Sequence, residues 1–446
     1  MHEAVIRGGM IVNHDEMYPA DVGVDQGRFT GIYPPGKAPE AERSVNAEGL
    51  LVFPGFIDPH VHIGYPDRDW EEDCVATTQA AAAGGVTVVV DFLAGAESVE
   101  QQFRQVARKV GRRAWVDLSF HAGIFTWEHV RHIEDTAHLG LPGFKLYLPY
   151  NGKELPDEWR LTDDKLWESF CRIAGLGYPA FAMVHAENQN VIDQIAERSG
   201  QQPGNTWSDF RPAFTEAESI AHVSHLCRAS HCPLYIAHVG SAGALAEVRY
   251  WQRRGLEIAA ETCAHYLVLN NQNCDSCRGK INPPLRESAD NEAVWTGIAD
   301  GTIRHVGSDH SSCSLAHKNS LKDGVPGFAG VQTTLPVLLD GVNKGKLAPQ
   351  HVAAAFSYNT ARLLGLQRRK GAIRVGLDAD FVLVDIHKKQ TVRASRLLHS
   401  ADYTPFEGME LTGWPVATYL RGEKVAEEGR ITSSQPSGRF LPRFCQ

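Results

Sequence analysis

Apolar and polar positions divide this chain into three kinds of region. Residues 1–53 alternate with a period of two between turn residues, in "EAVIRGGMIV", "ADVGVDQGRFTGI" and "LLVFPG". Residues 372–432 do the same, in "GAIRVGLDADFVLVDI" and "WPVATYLRGEKVAEEGRI". That alternation predicts half-buried strands. The likeness of the two ends predicts one small β-sandwich domain built from both and interrupted by everything between. The last stretch, 433–446, "SSQPSGRFLPRFCQ", has no period and reads as an irregular tail suited to docking on a neighbour.

Residues 54–371 behave differently. Eight apolar runs recur there or at its edge: "FPGFIDPHVHI", "VTVVVDF", "AWVDLSFHAG", "GFKLYL", "AFAMVHAE", "PLYIAHVG", "LEIAAETCAHYL" and "IRHVGSDHS". Helical patterns separate them, such as "EEDCVATTQAAAA", where Asp69 and Glu72 fit a capping box. "ERSGQQPGNTWSD" reads as a polar loop. Strand–helix alternation implies a parallel sheet, and eight units of this length predict a (β/α)₈ TIM-type barrel.

Composition narrows the function. The chain has 446 residues, enough for more than one domain, and a net charge of −9 that argues against a nucleic-acid footprint. No apolar run approaches the roughly 18–20 residues of a membrane span. "MHEAVIRGGMIV" lacks the basic stretch and apolar core of a signal peptide. Nine scattered cysteines fit reduced thiols, so a cytoplasmic protein is expected.

In a barrel the chemistry gathers at the C-terminal strand ends. Strand one ends in His60 and His62, which period two points to one side, so that two imidazoles can share an ion. Lys145 stands on strand four, His185 ends strand five, His238 strand six, and Asp309 strand eight. A single buried histidine is more often a satisfied core residue than a ligand. Four histidines, a lysine and an aspartate on five strand ends of one barrel are not what packing alone selects, and the two charges need partners that metal ions would supply. His121, His265 and His305 fit core or supporting positions, and His310 is placed to orient Asp309. Cys274 and Cys277 form one C-x-x-C; a structural zinc would need two more ligands, and only Cys263 suggests itself.

The segments "PGFIDPHVHI", "GFKLYL", "VHAEN", "IAHVGS", "ETCAHYL", "NPPLRES" and "GSDHSS", in this order, resemble the cyclic-amide branch of the amidohydrolase superfamily. The likeness covers nearly the whole chain, and "SADYTPFEGMELTGWPVATYLRGEKV" is similar to the closing segment of hydantoinases and dihydropyrimidinases. The resemblance implies two Zn²⁺ ions, with Mn²⁺ or Co²⁺ also accepted by such ligands. His60, His62 and Asp309 would hold one ion, His185 and His238 the other, and a carbamylated Lys145 would bridge both. It implies Asp309 as proton acceptor and donor, Tyr150 as donor to the developing oxyanion, and Asn282 as a backbone contact for the amide edge. Loops 64–72 and 150–158 would wall the pocket, with Tyr65, Trp70 and Leu155 as candidate wall residues. The expected activity is opening of a 5-substituted hydantoin or dihydropyrimidine to an N-carbamoyl amino acid by a homo-oligomer, a dimer or tetramer, with a small-molecule cyclic amide as substrate.

Some residues depart from that pattern. Ala264-His265, where many hydantoinases have Pro-Gln, and "SDHS" lean toward allantoinase, which is the alternative. Gly327 stands near a place where hydantoinases often have Asn. Gly64 replaces the arginine of the dihydroorotase pattern. A non-catalytic assembly protein of the collapsin-response-mediator type would have lost metal ligands, and all six positions are present. A hydrolase of a phosphotriester or linear amide fits Tyr150 and "NPPLR" poorly.

Overall fold

The computed structural model describes residues 2–151, 156–199, 206–274, 277–321 and 323–443. The predicted polar loop at 197–209 falls partly outside them, and Leu155 lies wholly outside.

Eight parallel strands form the barrel: β1 (Phe56–Asp58), β2 (Val86–Leu93), β3 (Asp117–Ile124), β4 (Gly143–Tyr147), β5 (Phe181–His185), β6 (Leu234–Ile236), β7 (Ile258–Cys263) and β8 (His305–Gly307). Each pairs with the next from β1 to β8. The ring closes through a two-residue parallel pair beyond the strand ends, His310 against Val61 and Ser311 against His62. Pro59 explains the offset, because it cannot donate to a ladder and interrupts the first strand between Asp58 and Val61.

Helices cover the outside. One of them, Trp70–Ala83, is capped by Asp69, whose carboxylate accepts from the amides of Glu71 and Glu72. Val99–Arg113, Asp163–Leu176, Phe214–Ser230, Ala242–Arg253 and Ser288–Ala299 precede β3, β5, β6, β7 and β8. Strand β7 is shorter than its apolar run: "AHYLV" turns into the helix Ala264–Val268. A short apolar run has no period with which to separate the two states.

The strands of the two chain ends form one nine-stranded sheet. Its first strand, His2–Val12, pairs with Ala41–Asn46 along its first half and with Leu51–Pro54 further on. Leu51–Pro54 also pairs antiparallel with Phe381–Thr391, which joins the N-terminal strands to the C-terminal ones. The chain then passes straight into β1 through Gly55, where a Cβ would lie 2.2 Å from Thr87 Oγ1. Only glycine fits that crossing.

The tail departs from expectation. It lies against this chain's own barrel: the amide of Leu118 donates to Arg439 and the amide of Leu441 to Leu118, at 2.9 and 2.7 Å. Pairing of β4 with β3 starts only at Ala122, so the first residues of β3 have a free edge that the tail fills. Leu441 is buried with Ile57, Val88, Val90, Phe181, Met183 and Tyr235, alternate residues of the barrel strands.

Candidate active site

At the C-terminal mouth of the barrel the predicted side chains converge. His60 Nε2 and His62 Nε2 each lie 3.2 Å from Asp309 Oδ1. One ligand atom from each of these three residues falls within 4.8 Å of the others. Lys145 Nζ is 3.4 Å from His60 Nε2. The rings of His185 and His238 stand 4.3 Å apart, and His238 is 5.4 Å from His60. The six residues therefore form one cluster.

Local backbone aims them. His238 and Asp309 have φ of +40° and +48°, a left-handed conformation that non-glycine residues rarely adopt. Such strain collects at functional sites, where the surrounding structure holds it. Both side chains join the cluster at these strained positions.

Buried carboxylates hold the histidines. Glu261 Oε1 accepts from His60 Nδ1 at 2.8 Å, and its other oxygen accepts from the Tyr235 hydroxyl. That bond fixes the proton on Nδ1 and leaves the Nε2 lone pair turned to Lys145 and Asp309. Glu187 accepts from His185 Nε2 at 2.7 Å and is itself gripped by Arg211 through two bonds. Asp91 accepts from the Ile63 amide and from Trp70 Nε1. Glu261, Glu187 and Asp91, which the sequence patterns above did not single out, carry one signal in the sequence, a lone acidic residue in an apolar run.

Burial drives the protonation states. It holds His60 and His238 well below the usual imidazole value, so both are neutral and able to ligate. Burial lowers Lys145 to about 8, which makes its free amine accessible near neutral pH. It raises Asp58 to about 7 and also pushes Glu261 up, opposed there by the Tyr235 hydrogen bond and the charge of Lys145, which favour the carboxylate. Neutral imidazoles, a carboxylate and an amine, with the buried His238 Nδ1 lacking a protein partner, form a donor set that fits divalent cations.

A cavity of about 470 Å³ opens above the cluster. Tyr65 and Asn282 line it, and Asn282 Oδ1 also accepts from Trp207 Nε1. Phe125, Tyr147 and Trp159 add an aromatic wall the sequence reading did not name; Phe125 stacks on Tyr147 at 5.4 Å. Trp70 does not line this cavity; its indole N–H donates to Asp91 instead. The backbone of Tyr150 lies in the turn Leu148–Asn151, while its side chain lies outside what the structure describes. His310 does not orient Asp309: its ring accepts from Gly330 and meets Thr77, on the far side of the strand. Cys263 sits against Glu261 and is not gathered with Cys274 and Cys277; the metal-type group among the described residues is His60, His62 and Asp309.

The amidohydrolase family model matches residues 51–161 and 216–425. The chain belongs to the amidohydrolase family. This amidohydrolase is 34% identical to an allantoinase of Rubrobacter xylanophilus, over 98% of this chain and 97% of that protein. It is 30% identical to a D-hydantoinase of Ralstonia pickettii, over 99% of each. The structure of an L-hydantoinase (dihydropyrimidinase) from Arthrobacter aurescens superposes with a TM-score of 0.92 at 28% identity, covering 99% of this chain and 100% of that one. The amidohydrolase barrel and strand-rich sheet described above are thus shared along the whole length.

Proposed function

We propose that this amidohydrolase opens the ring of a cyclic amide, with a hydantoin bearing an apolar 5-substituent, or a dihydropyrimidine, as substrate and an N-carbamoyl amino acid as product. The observation that carries the reading is the convergence of six ligand-type side chains on the floor of a cavity with an aromatic wall. His60, His62 and Asp309 would hold one zinc ion and His185 and His238 a second, with Lys145, carbamylated by CO₂, between them. Two such ions supply an acidified water and a polarised carbonyl when bound. Asp309 would take a proton from the attacking water and return it to the departing ring nitrogen. Tyr150 would donate to the developing oxyanion. Glu261 and Glu187 keep their imidazoles in one tautomer through this cycle.

Allantoin is the second reading, favoured by the allantoinase relative. Its ureido group carries polar atoms that an aromatic wall leaves without partners, at a cost in binding. Phe125, Tyr147 and Trp159 therefore favour an aryl or alkyl substituent. The eight cysteines among the described residues are free thiols, and no helix among those residues is long and apolar enough to cross a membrane. Both features fit our placement of the enzyme in the cytoplasm, and the family likeness supports a homo-oligomer. The same reading divides the chain into a barrel over 54–371 and a β domain from 1–53 and 372–432.

The deciding experiment offers zinc-loaded protein the separate enantiomers of 5-phenylhydantoin, dihydrouracil and allantoin, with products resolved by chromatography. Turnover of a hydantoin or dihydrouracil is the expected result. Turnover of allantoin alone would transfer the assignment to the second reading.

A further inference from the structure

The cavity floor is accounted for by the ligand-type residues. Part of its side wall is built from two loops distant in sequence: Ile281 and Asn282 stand on one, Pro326 and Gly327 on the other. Behind both lies Lys318, at the end of the short turn Leu315–Lys318. Its Nζ donates to the carbonyl of Lys280 and to that of Val325, each at 2.8 Å. These are the carbonyls immediately before the two wall pairs. The remaining side of the ammonium rests 5.1 Å from the centroid of Phe328. Lys318 is 4% exposed, so its charge is stabilised by two carbonyls and a ring instead of water.

The wall at Gly327 is bare backbone. Gly327 has φ +134°, and a Cβ there would lie 2.2 Å from Ser311 Oγ. Its amide donates to the Lys280 carbonyl at 3.1 Å, parallel to the bond from Lys318. Gly327 itself has no side chain that could shift to change the shape of the pocket. The width at this point is set by where the two backbones are held.

We propose that Lys318 is a positioning residue that clamps the 280–282 and 325–327 walls together and thereby holds the cavity to its width on the Asn282 side, where the ring itself would bind. The clamp rests on geometry alone, while its effect on substrate binding rests on the ring-opening reading above.

The test compares metal-loaded wild type, Lys318→Met and Lys318→Arg by amide hydrogen exchange and by kcat and KM on dihydrouracil and 5-phenylhydantoin. Losing two charge-assisted bonds should speed exchange in peptides covering 279–283 and 324–328 by about 10-fold or more in Lys318→Met, with barrel strands and metal content unchanged. KM should rise by about 10-fold for both 5-phenylhydantoin and dihydrouracil, with kcat falling less than KM rises, and Lys318→Arg, which keeps the donors, should recover most of the loss. If Lys318→Met does not fold, Lys318→Gln, with two N–H donors on a shorter stem, should show a smaller acceleration in the same peptides. Unchanged exchange there, or acceleration spread evenly over the barrel, overturns the clamp. A wild type that opens no ring defeats the proposed function instead, and the exchange data still decide the clamp.

Discussion

Lys145 presents the sharpest problem for a single residue. It is fully buried, faces an imidazole nitrogen, and lies 5.2 and 5.0 Å from the faces of Phe92 and Tyr147. A free ammonium there repels the cations its neighbours are suited to hold. A carbamate, formed when the neutral amine adds to CO₂ and releases a proton, reverses that sign. Lys145→Ala should therefore lose most of its metal and its turnover together, and bicarbonate with a short-chain carboxylic acid should restore part of both. Metal analysis alongside the ring assay checks this; full metal content in the untreated variant would remove the bridging role. The identities of the six clustered residues were legible because each is a polar interruption of an apolar run. Their backbone strain was not: His and Asp enter the left-handed region more often than most residues, but type alone does not say that His238 and Asp309 do so. Trp70 was misjudged for a related reason, since sequence places it in a loop near the site but says nothing about which way its indole turns.

Among the elements, the barrel strands could be read because they are buried on both faces and so are apolar almost without break. Their limits could not. The run containing β6 spans eight residues, but only Leu234–Ile236 pairs as a strand, and the run containing β7 ends as a helix. Apolar content alone does not say where hydrogen bonding changes partner. The tail escaped for the opposite reason: it has too little pattern to predict anything, yet Leu441 enters the barrel interior at 1% exposure. Leu441→Ala should cost about 2–5 kcal/mol, as other large-to-small core changes do. Denaturant unfolding followed by fluorescence measures it. A loss under ~0.5 kcal/mol would mean that the tail lies loosely on a barrel already sealed without it.

For the molecule as a whole, a buried ion cluster ties sheet, barrel and tail. Lys370 Nζ lies 2.8 Å from Asp117, 3.1 Å from Asp378 and 2.5 Å from Asp380. Arg421 pairs with Asp117, Arg369 with Asp378, and the Arg439 amide of the tail donates to Asp117. Three cations thus face three carboxylates. Burial alone would raise Asp117 and Asp378, but the cations outweigh it and hold both below the usual carboxylate range. A depressed carboxyl stabilises the fold above its unfolded pKa, and that contribution disappears as pH falls. Lys370→Met strands buried carboxylates and should cost about 3–5 kcal/mol at pH 7. The gap from wild type should narrow below about pH 4, where the carboxyls take up protons. Denaturant midpoints across that range test the sign; a gap that widens in acid would contradict it.

The nine-stranded sheet has a consequence in time. Leu51–Pro54 finds its antiparallel partner only when Phe381–Thr391 has been made. At roughly 5–20 residues per second, synthesis of the stretch between them takes on the order of 20–60 s. Throughout that interval the early strands present an unpaired edge, the kind of template on which other chains misassemble. The union of distant segments that steadies the finished enzyme therefore waits on the ribosome, and a chaperone covering those first strands would have to stay for that whole interval.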